Sequence, residues 1–186
     1  MPKDWDAHYL MASPLVQPAF VVAAYAPLLP PGPVLDLAGG MGRNALFLAG
    51  RGHPVLLLER SRVALEFVRS RAKEQGLPLW ALEADLEAPH PPLPPGPFAG
   101  IVKTYFLHRP LLGVFSERLA PGGLVLLEGF TQQEAARRGS QAGHYWQEGE
   151  LLHPPPGLRL RAWGEGWMEG HHRTWAVWEK PEGQGP

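Results

Sequence analysis

The stretch PGPVLDLAGGMGRNALFLAGRGHPVLLLERS, residues 31–61, decides the architecture. An apolar run, Val34 to Leu37, enters a glycine cluster, and a helical pattern carrying Ala45, Leu46, Leu48 and Ala49 leaves it. The pattern stops at Gly50 to Gly52, and a second apolar run, Val55 to Leu58, ends in Glu59. Strand, tight turn, helix and strand in that order make a βαβ unit. The turn admits two readings. Gly40, Gly42 and Ala45 fit G-x-G-x-x-A, in which a helix N-terminus receives a pyrophosphate. Read from Asp36, the same residues form an acid-led glycine loop. A carboxylate there repels a pyrophosphate and attracts a ligand with positive charge, so Asp36 favours the second reading.

The rhythm continues outward. Ser61 caps a helix whose Ala64, Leu65, Val68 and Ala72 share one stripe and whose end is marked by Gly76. Leu79 to Leu82 and Phe98 to Thr104 read as the third and fourth strands, Leu111 to Leu119 as a helix, and Leu124 to Glu128 as the fifth strand after the turn Pro121-Gly122-Gly123. PHPPLPPGP, residues 89–97, is short and lies inside a continuing β/α pattern, so it reads as a stiff surface loop and not as a domain boundary. Residues 131–156 are polar, glycine-dotted and without a long period, and are expected to form a mobile segment over one end of the sheet. Arg159 to Trp167 and Arg173 to Glu179 are two strands turning near Glu169-Gly170, an antiparallel hairpin. The expected fold is α/β: one doubly wound, seven-stranded, mostly parallel Rossmann-like sheet ending in that hairpin. A single domain over 1–186 is expected, with an N-terminal lid segment, 1–30, and a flexible tail, 181–186.

Composition narrows the function classes. A chain of 186 residues is too short for a cofactor domain plus a separate substrate domain. A formal charge of −1 without a basic run lacks the footprint of a nucleic-acid binder, and no segment is long and apolar enough to span a bilayer. The absence of cysteine removes disulfides, thiolate metal sites and a cysteine nucleophile. A soluble cytoplasmic protein, monomer or homodimer, is the expectation. His171-His172 places neighbouring rings on opposite faces of a strand, so no metal site is expected. Trp163, Trp167, Trp175 and Trp178 lie in the hairpin with no basic stripe between them and read as packing residues.

The run Asp36-Leu37-Ala38-Gly39-Gly40-Met41-Gly42 resembles the glycine-rich motif of the class I S-adenosylmethionine-dependent methyltransferases, with Ala38 in place of the first glycine. Further elements follow in the family's order: Glu59 ending the second strand, Asp85 after the third, and Pro121-Gly122-Gly123 before the fifth. The resemblance implies that Glu59 accepts hydrogen bonds from the ribose hydroxyls and Asp85 from the adenine amino group. Arg60 and Leu86 would pack near the ring, and the backbone of Ala38, Gly39, Gly40 and Gly42 would run under the methionine part. More narrowly, Trp5-Asp6-Ala7-His8-Tyr9, Gly42-Arg43-Asn44-Ala45, Phe106-Leu107-His108-Arg109-Pro110 and Glu148-Gly149-Glu150-Leu151-Leu152 are similar to segments of the small tellurite-resistance-type bacterial methyltransferases. By that likeness Tyr9 folds over the methionine end of the cofactor, and Asn44 and Lys103 join the cofactor set.

After the fourth strand, Lys103-Thr104-Tyr105-Phe106-Leu107-His108-Arg109 occupies the position where ligands bind in open α/β sheets. It lacks the Asn/Asp-Pro-Pro-aromatic motif of enzymes that methylate nucleic-acid bases. A small-molecule methyl acceptor is therefore expected, contacted by Trp5, Tyr105, His108 and Arg109. No fixed catalytic residue is expected, because direct displacement at a sulfonium methyl depends mainly on alignment. Two other readings remain in view: an NAD(P)-dependent oxidoreductase built on the G-x-G-x-x-A turn, and a non-catalytic module that binds S-adenosylmethionine.

Overall fold

The computed structural model describes residues 3–183. Its centre is a seven-stranded sheet in the order β3-β2-β1-β4-β5-β7-β6. β1 (Val34–Leu37), β2 (Val55–Glu59), β3 (Leu79–Glu83), β4 (Phe98–Thr104) and β5 (Leu119–Phe130) run parallel, while β6 (Arg159–Met168) and β7 (His171–Glu179) form the antiparallel edge. Chain order reverses between β1 and β4, so the carboxyl ends of these two strands frame the crevice in which such sheets bind ligands. The β6–β7 turn has Glu169 at φ 51° and Gly170 at φ 77°, the pair of left-handed residues that a two-residue hairpin needs.

Alternation along the strands builds two cores. On one face Val34, Val55, Leu57, Val102, Leu124 and Leu126 meet α2 (Phe20–Tyr25), α3 (Arg43–Ala49) and α4 (Arg62–Glu74) through Val21, Val22, Ala45, Leu48, Leu65 and Val68. On the other face Leu35, Leu37, Leu58, Ile101, Val125, Leu127 and Trp178 meet Leu111, Phe115, Trp146 and Leu151. Ser61 caps α4 as the sequence predicts, its hydroxyl accepting from the Ala64 N–H at 3.2 Å.

The structure departs from the expectations in three places. The helix expected over 111–119 is a 3₁₀ turn, Arg109–Val114, followed by one α-turn, α5 (Phe115–Arg118). Gly113 and Val114 are weak helix formers and Pro110 cannot donate, so an α-helix does not establish itself there. Pro121-Gly122-Gly123 lies within β5, where the register against β4 slips between Phe98 and Gly100.

The third departure is that the segment 131–156, read as lacking regular elements, carries several of them and packs on the second face. It forms α6 (Gln132–Arg138) and two 3₁₀ turns, and it buries Trp146, Leu151 and Glu134. The Trp178 indole N–H donates to the Leu151 carbonyl at 2.9 Å. Of the tail, Glu182 lies against Gly122, and residues 184–186 fall outside the described residues.

Between β3 and β4 the chain crosses without a helix. Leu93 of the proline-rich stretch packs on the second face, while Trp80 and Leu82 of β3 stay 58% and 51% exposed. Among the described residues, no helix is long and apolar enough to cross a membrane.

Candidate active site

The glycine turn is held in shape by backbone requirements. Gly40 has φ +55°, and a β-carbon on it would stand 2.6 Å from the Tyr9 hydroxyl. A β-carbon on Gly39 would meet Leu57 at 2.5 Å and Asp36 Oδ2 at 2.9 Å. Ala38 replaces a glycine at a place where the backbone is left-handed, φ 52°.

Asp36 is the electrostatic centre of this turn. It lies one residue before the end of β1, on the face of α3, 1% exposed, and its Oδ2 has no hydrogen-bond partner. Burial pushes its carboxyl up to about 7, against the pull of the Arg43 guanidinium. A buried carboxylate oxygen without a partner is costly unless something positive or donating meets it, so the site suits an ammonium-bearing ligand. Arg43, at the start of α3, makes no side-chain hydrogen bond or ion pair among the described residues, and its guanidinium lies 5.1 Å from the Tyr105 ring centre. An acid and a free guanidinium on one turn match the two charges of an amino-acid zwitterion. No signal singled out Arg43 in the sequence beyond its place in the Gly42-Arg43-Asn44-Ala45 segment.

Glu59 ends β2 on the same face and is 5% exposed. One oxygen accepts from the Gly40 N–H at 3.0 Å, and the other from the N–H groups of Arg60 and Ser61, both at 2.9 Å. Asp85 is half-exposed beyond β3, where Oδ1 accepts from the Glu87 N–H at 3.1 Å and Oδ2 lies 3.9 Å from Arg60. Tyr9, from α1 (Trp5–Met11), reaches over the turn. Burial and the Glu59 charge push its hydroxyl up to about 12, so it stays protonated as a donor. Trp5 stacks on Tyr9 at 6.0 Å between ring centres.

The exits of β4 and β5 adjoin this cleft. Tyr105, at φ 55°, donates its hydroxyl to Glu128 Oε1 at 2.6 Å, and Glu128 Oε2 accepts from the Val21 N–H at 2.9 Å. Burial and Glu128 hold the Tyr105 hydroxyl far above its ordinary range. Phe130 meets the Tyr105 ring edge-to-face at 4.8 Å, and Arg138 lies over Phe130 at 4.5 Å. Glu128, Phe130 and Arg138 had no motif to mark them. They arrive through the register of β5 and the docking of α6, where Glu134 is fully buried and holds Arg137, Arg138 and His171. These contacts, the Arg137 hydrogen bond first, hold the Glu134 carboxyl well below the carboxylate range.

Of the other residues expected at the site, Leu86 and Lys103 face away from it, while Asn44 and Arg109 are held by partners of their own. The Asn44 amide is engaged at both ends, accepting from the Ala19 N–H and donating to Thr104 Oγ1, each at 2.9 Å. Leu86 is core on the second face. Lys103 points to that same face, away from Asp36, because strand alternation sets it beside Leu37 and Leu127. Its ammonium lies 4.6 Å from the Trp146 ring, fully buried and without a hydrogen-bond partner, and burial lowers it to about 7. Arg109 is bound to Glu150 through two hydrogen bonds, 2.6 and 2.8 Å, which tie the β4 exit to the segment 131–156. His108 begins the 3₁₀ turn and makes no side-chain hydrogen bond among the described residues. His171 and His172 turn to different partners, Glu134 and Thr131, and no group of three metal-ligating side chains occurs among the described residues.

The sheet order, the buried acid under a glycine turn and the second acid ending β2 can be set beside known proteins. Residues 34–123 match the methyltransferase domain family, and no curated protein matches the chain. TehB from Haemophilus influenzae superposes with a TM-score of 0.74 at 18% identity, covering 95% of this chain and 67% of that one. A TehB-like SAM-dependent methyltransferase from Corynebacterium glutamicum gives 0.64 at 21% identity, covering 86% of each chain. A protein described for the conversion of a disulfide bond into a thioacetal group during echinomycin biosynthesis gives 0.73 at 18%, covering 97% and 91%. At such identities these three likenesses are likenesses of fold. Residues 34–123 are thus similar to a methyltransferase domain, and the chain as a whole shares the fold of these three proteins.

Proposed function

We propose that the chain transfers the cofactor's methyl group to a small acceptor that arrives already anionic, a tellurite- or selenite-type oxyanion or a thiolate, at the exits of β4 and β5. S-adenosylmethionine, when bound, supplies a methyl group on a positively charged sulfur, open to in-line displacement. Asp36 takes the cofactor's ammonium and Arg43 its carboxylate. Glu59 turns from the Gly40 N–H to the ribose hydroxyls, Asp85 with Arg60 borders the adenine, and Tyr9 with Trp5 covers the methionine end.

The observation that carries this reading is the partnerless, buried Asp36 oxygen. It also weighs against a nicotinamide dinucleotide, whose pyrophosphate would lie beside a buried carboxylate. Proton accounting at Tyr105 and Glu128 supports an anionic acceptor. Tyr105 keeps its proton, and both Glu128 oxygens are committed, so neither serves as a base for an alcohol or phenol. The Phe130 and Tyr105 rings, flanked by Arg138 and Arg43, form an aromatic wall with positive ends. The remaining task is alignment, which contributes most of the rate in such displacements.

The test is titration calorimetry with S-adenosylmethionine, S-adenosylhomocysteine and NADH, followed by turnover with tellurite, selenite and small thiols. Micromolar binding of the first two, about −8 kcal/mol at 1 μM, weakened at least tenfold in Glu59→Ala, is the expected result. Binding without turnover of any acceptor would support the non-catalytic module instead, and binding of NADH alone would return the dinucleotide reading.

A further inference from the structure

α1 carries a side chain with no part in the site described so far. The helix has seven residues, none of them buried, and Leu10 and Met11 are 71% and 89% exposed. The chain that follows is equally bare, with Leu15 and Val16 at 65% and 83%. A helix this short does not persist alone in water, and apolar burial does not hold this one. Two contacts carry it. One is Tyr9 over Gly40, and the other is Asp6, whose Oδ1 accepts the Ser61 hydroxyl at 2.6 Å and the Val63 N–H at 3.3 Å.

The Asp6 contact is wired into the cofactor loop. Ser61 gives its hydroxyl proton to Asp6 while its oxygen accepts from Ala64, and its own N–H goes to Glu59. Glu59 in turn receives the Gly40 N–H, and Tyr9 stands on Gly40. The path Asp6, Ser61, Glu59, Gly40, Tyr9 is a closed ring, with its first and last members three residues apart on one helix. Asp6 and Tyr9 therefore reach the same loop from one helix, by two separate contacts.

We infer that Asp6 is a positioning residue: a latch that seats α1, and with it Tyr9 and Trp5, over the cofactor, and so sets how long the cofactor and its product stay. The inference rests on the cofactor site proposed above. It does not touch the reacting atoms, so it predicts a split between binding and chemistry. Opening the latch frees the lid and leaves Asp36, Arg43 and Tyr105 where they are.

The experiment uses the full chain with Asp6→Ala and Asp6→Asn, the latter keeping an oxygen that can accept from Ser61. Release of S-adenosylhomocysteine is timed by stopped-flow displacement, steady-state constants are measured for S-adenosylmethionine, and hydrogen exchange of the α1 amides is read without ligand. Asp6→Ala should release the product about tenfold faster, the effect of one charge-assisted hydrogen bond. It should raise KM for S-adenosylmethionine to match, keep kcat, lower the melting temperature of the free protein by no more than about 3–6 °C and speed α1 exchange. Asp6→Asn should recover most of the wild-type rate. Wild-type release and wild-type exchange in Asp6→Ala would overturn the latch alone. Failure of the wild type to bind S-adenosylhomocysteine would overturn the site reading, and the latch with it.

Discussion

Asp36 and Lys103 lie one register step apart on the paired strands β1 and β4, so their side chains leave the sheet on opposite faces, and each has a buried polar atom, Asp36 Oδ2 and Lys103 Nζ, without a hydrogen-bond partner. The folded pKa of Asp36 is raised from 3.8 to about 7, so the folded chain favours its protonated form. The associated stability is fully present below pH 4 and is lost as pH rises through 7. Lys103 is depressed from 10.5 to about 7, so its contribution is present above pH 10.5 and lost as pH falls through 7. Near neutrality both penalties stand. Asp36→Asn should then raise the melting temperature of the free protein at pH 8 and flatten its dependence between pH 4 and 7, while weakening S-adenosylmethionine at least tenfold. Retained binding with an unchanged pH profile would remove Asp36 from the centre of the site. Lys103→Met should stabilise at pH 7 by about 1–3 kcal/mol, the gain usual when a buried ion gives way to a packed apolar side chain, and by less at pH 10. Denaturant titration at the two pH values decides it. At Ala38 the backbone asks for glycine, and Ala38→Gly should stabilise by up to about 1 kcal/mol, since the left-handed conformation disfavours a β-carbon.

The segment 131–156 shows how an element without periodicity becomes structural. α6 is docked by Glu134, fully buried among Arg137, Arg138 and His171 and receiving the His172 N–H at 3.1 Å. Removing that carboxylate leaves two guanidinium groups unpaired against the sheet. Glu134→Ala should lower the melting temperature and open residues 131–144 to protease, with β1 to β4 still protected; an intact digestion pattern would contradict the docking role. Apart from the short Glu148-Gly149-Glu150-Leu151-Leu152 run, no periodicity announced this element, because its burial rests on isolated residues, Glu134, Trp146 and Leu151, at intervals matching neither a helix nor a strand. Strands β1 to β4 were legible for the opposite reason, being apolar runs between turn residues. The site divides along the same line. Asp36, Glu59 and Asp85 sit at strand ends that chain order alone reveals. Lys103 reads as equally well placed in the sequence, but strand alternation turns it to the other face. Asp6 meets a partner 55 residues away, which local sequence cannot show.

For the molecule as a whole, a ligand that binds only the folded chain adds stability in proportion to its affinity. At a hundredfold excess over Kd the gain is about 2.7 kcal/mol, worth roughly 5–10 °C in a chain of this size. S-adenosylhomocysteine should produce that shift in a thermal scan and NADH should not; the reverse would sink the family-based reading of the pocket. At the far edge of the sheet the molecule is held together differently. Between β3 and β4, Pro89, Pro91, Pro92, Pro94, Pro95 and Pro97 lie in a crossing that has no helix, and Trp80 and Leu82 of β3 stay exposed. Each proline narrows what the unfolded chain can explore, by about 0.4–1 kcal/mol where the native backbone accepts it. This crossing therefore contributes chiefly through the disorder that the denatured chain is denied. Converting Pro91, Pro92, Pro94 and Pro95 together to alanine should lower stability by about 2–4 kcal/mol, with the loss showing in the unfolding entropy and the buried contacts of the sheet left in place.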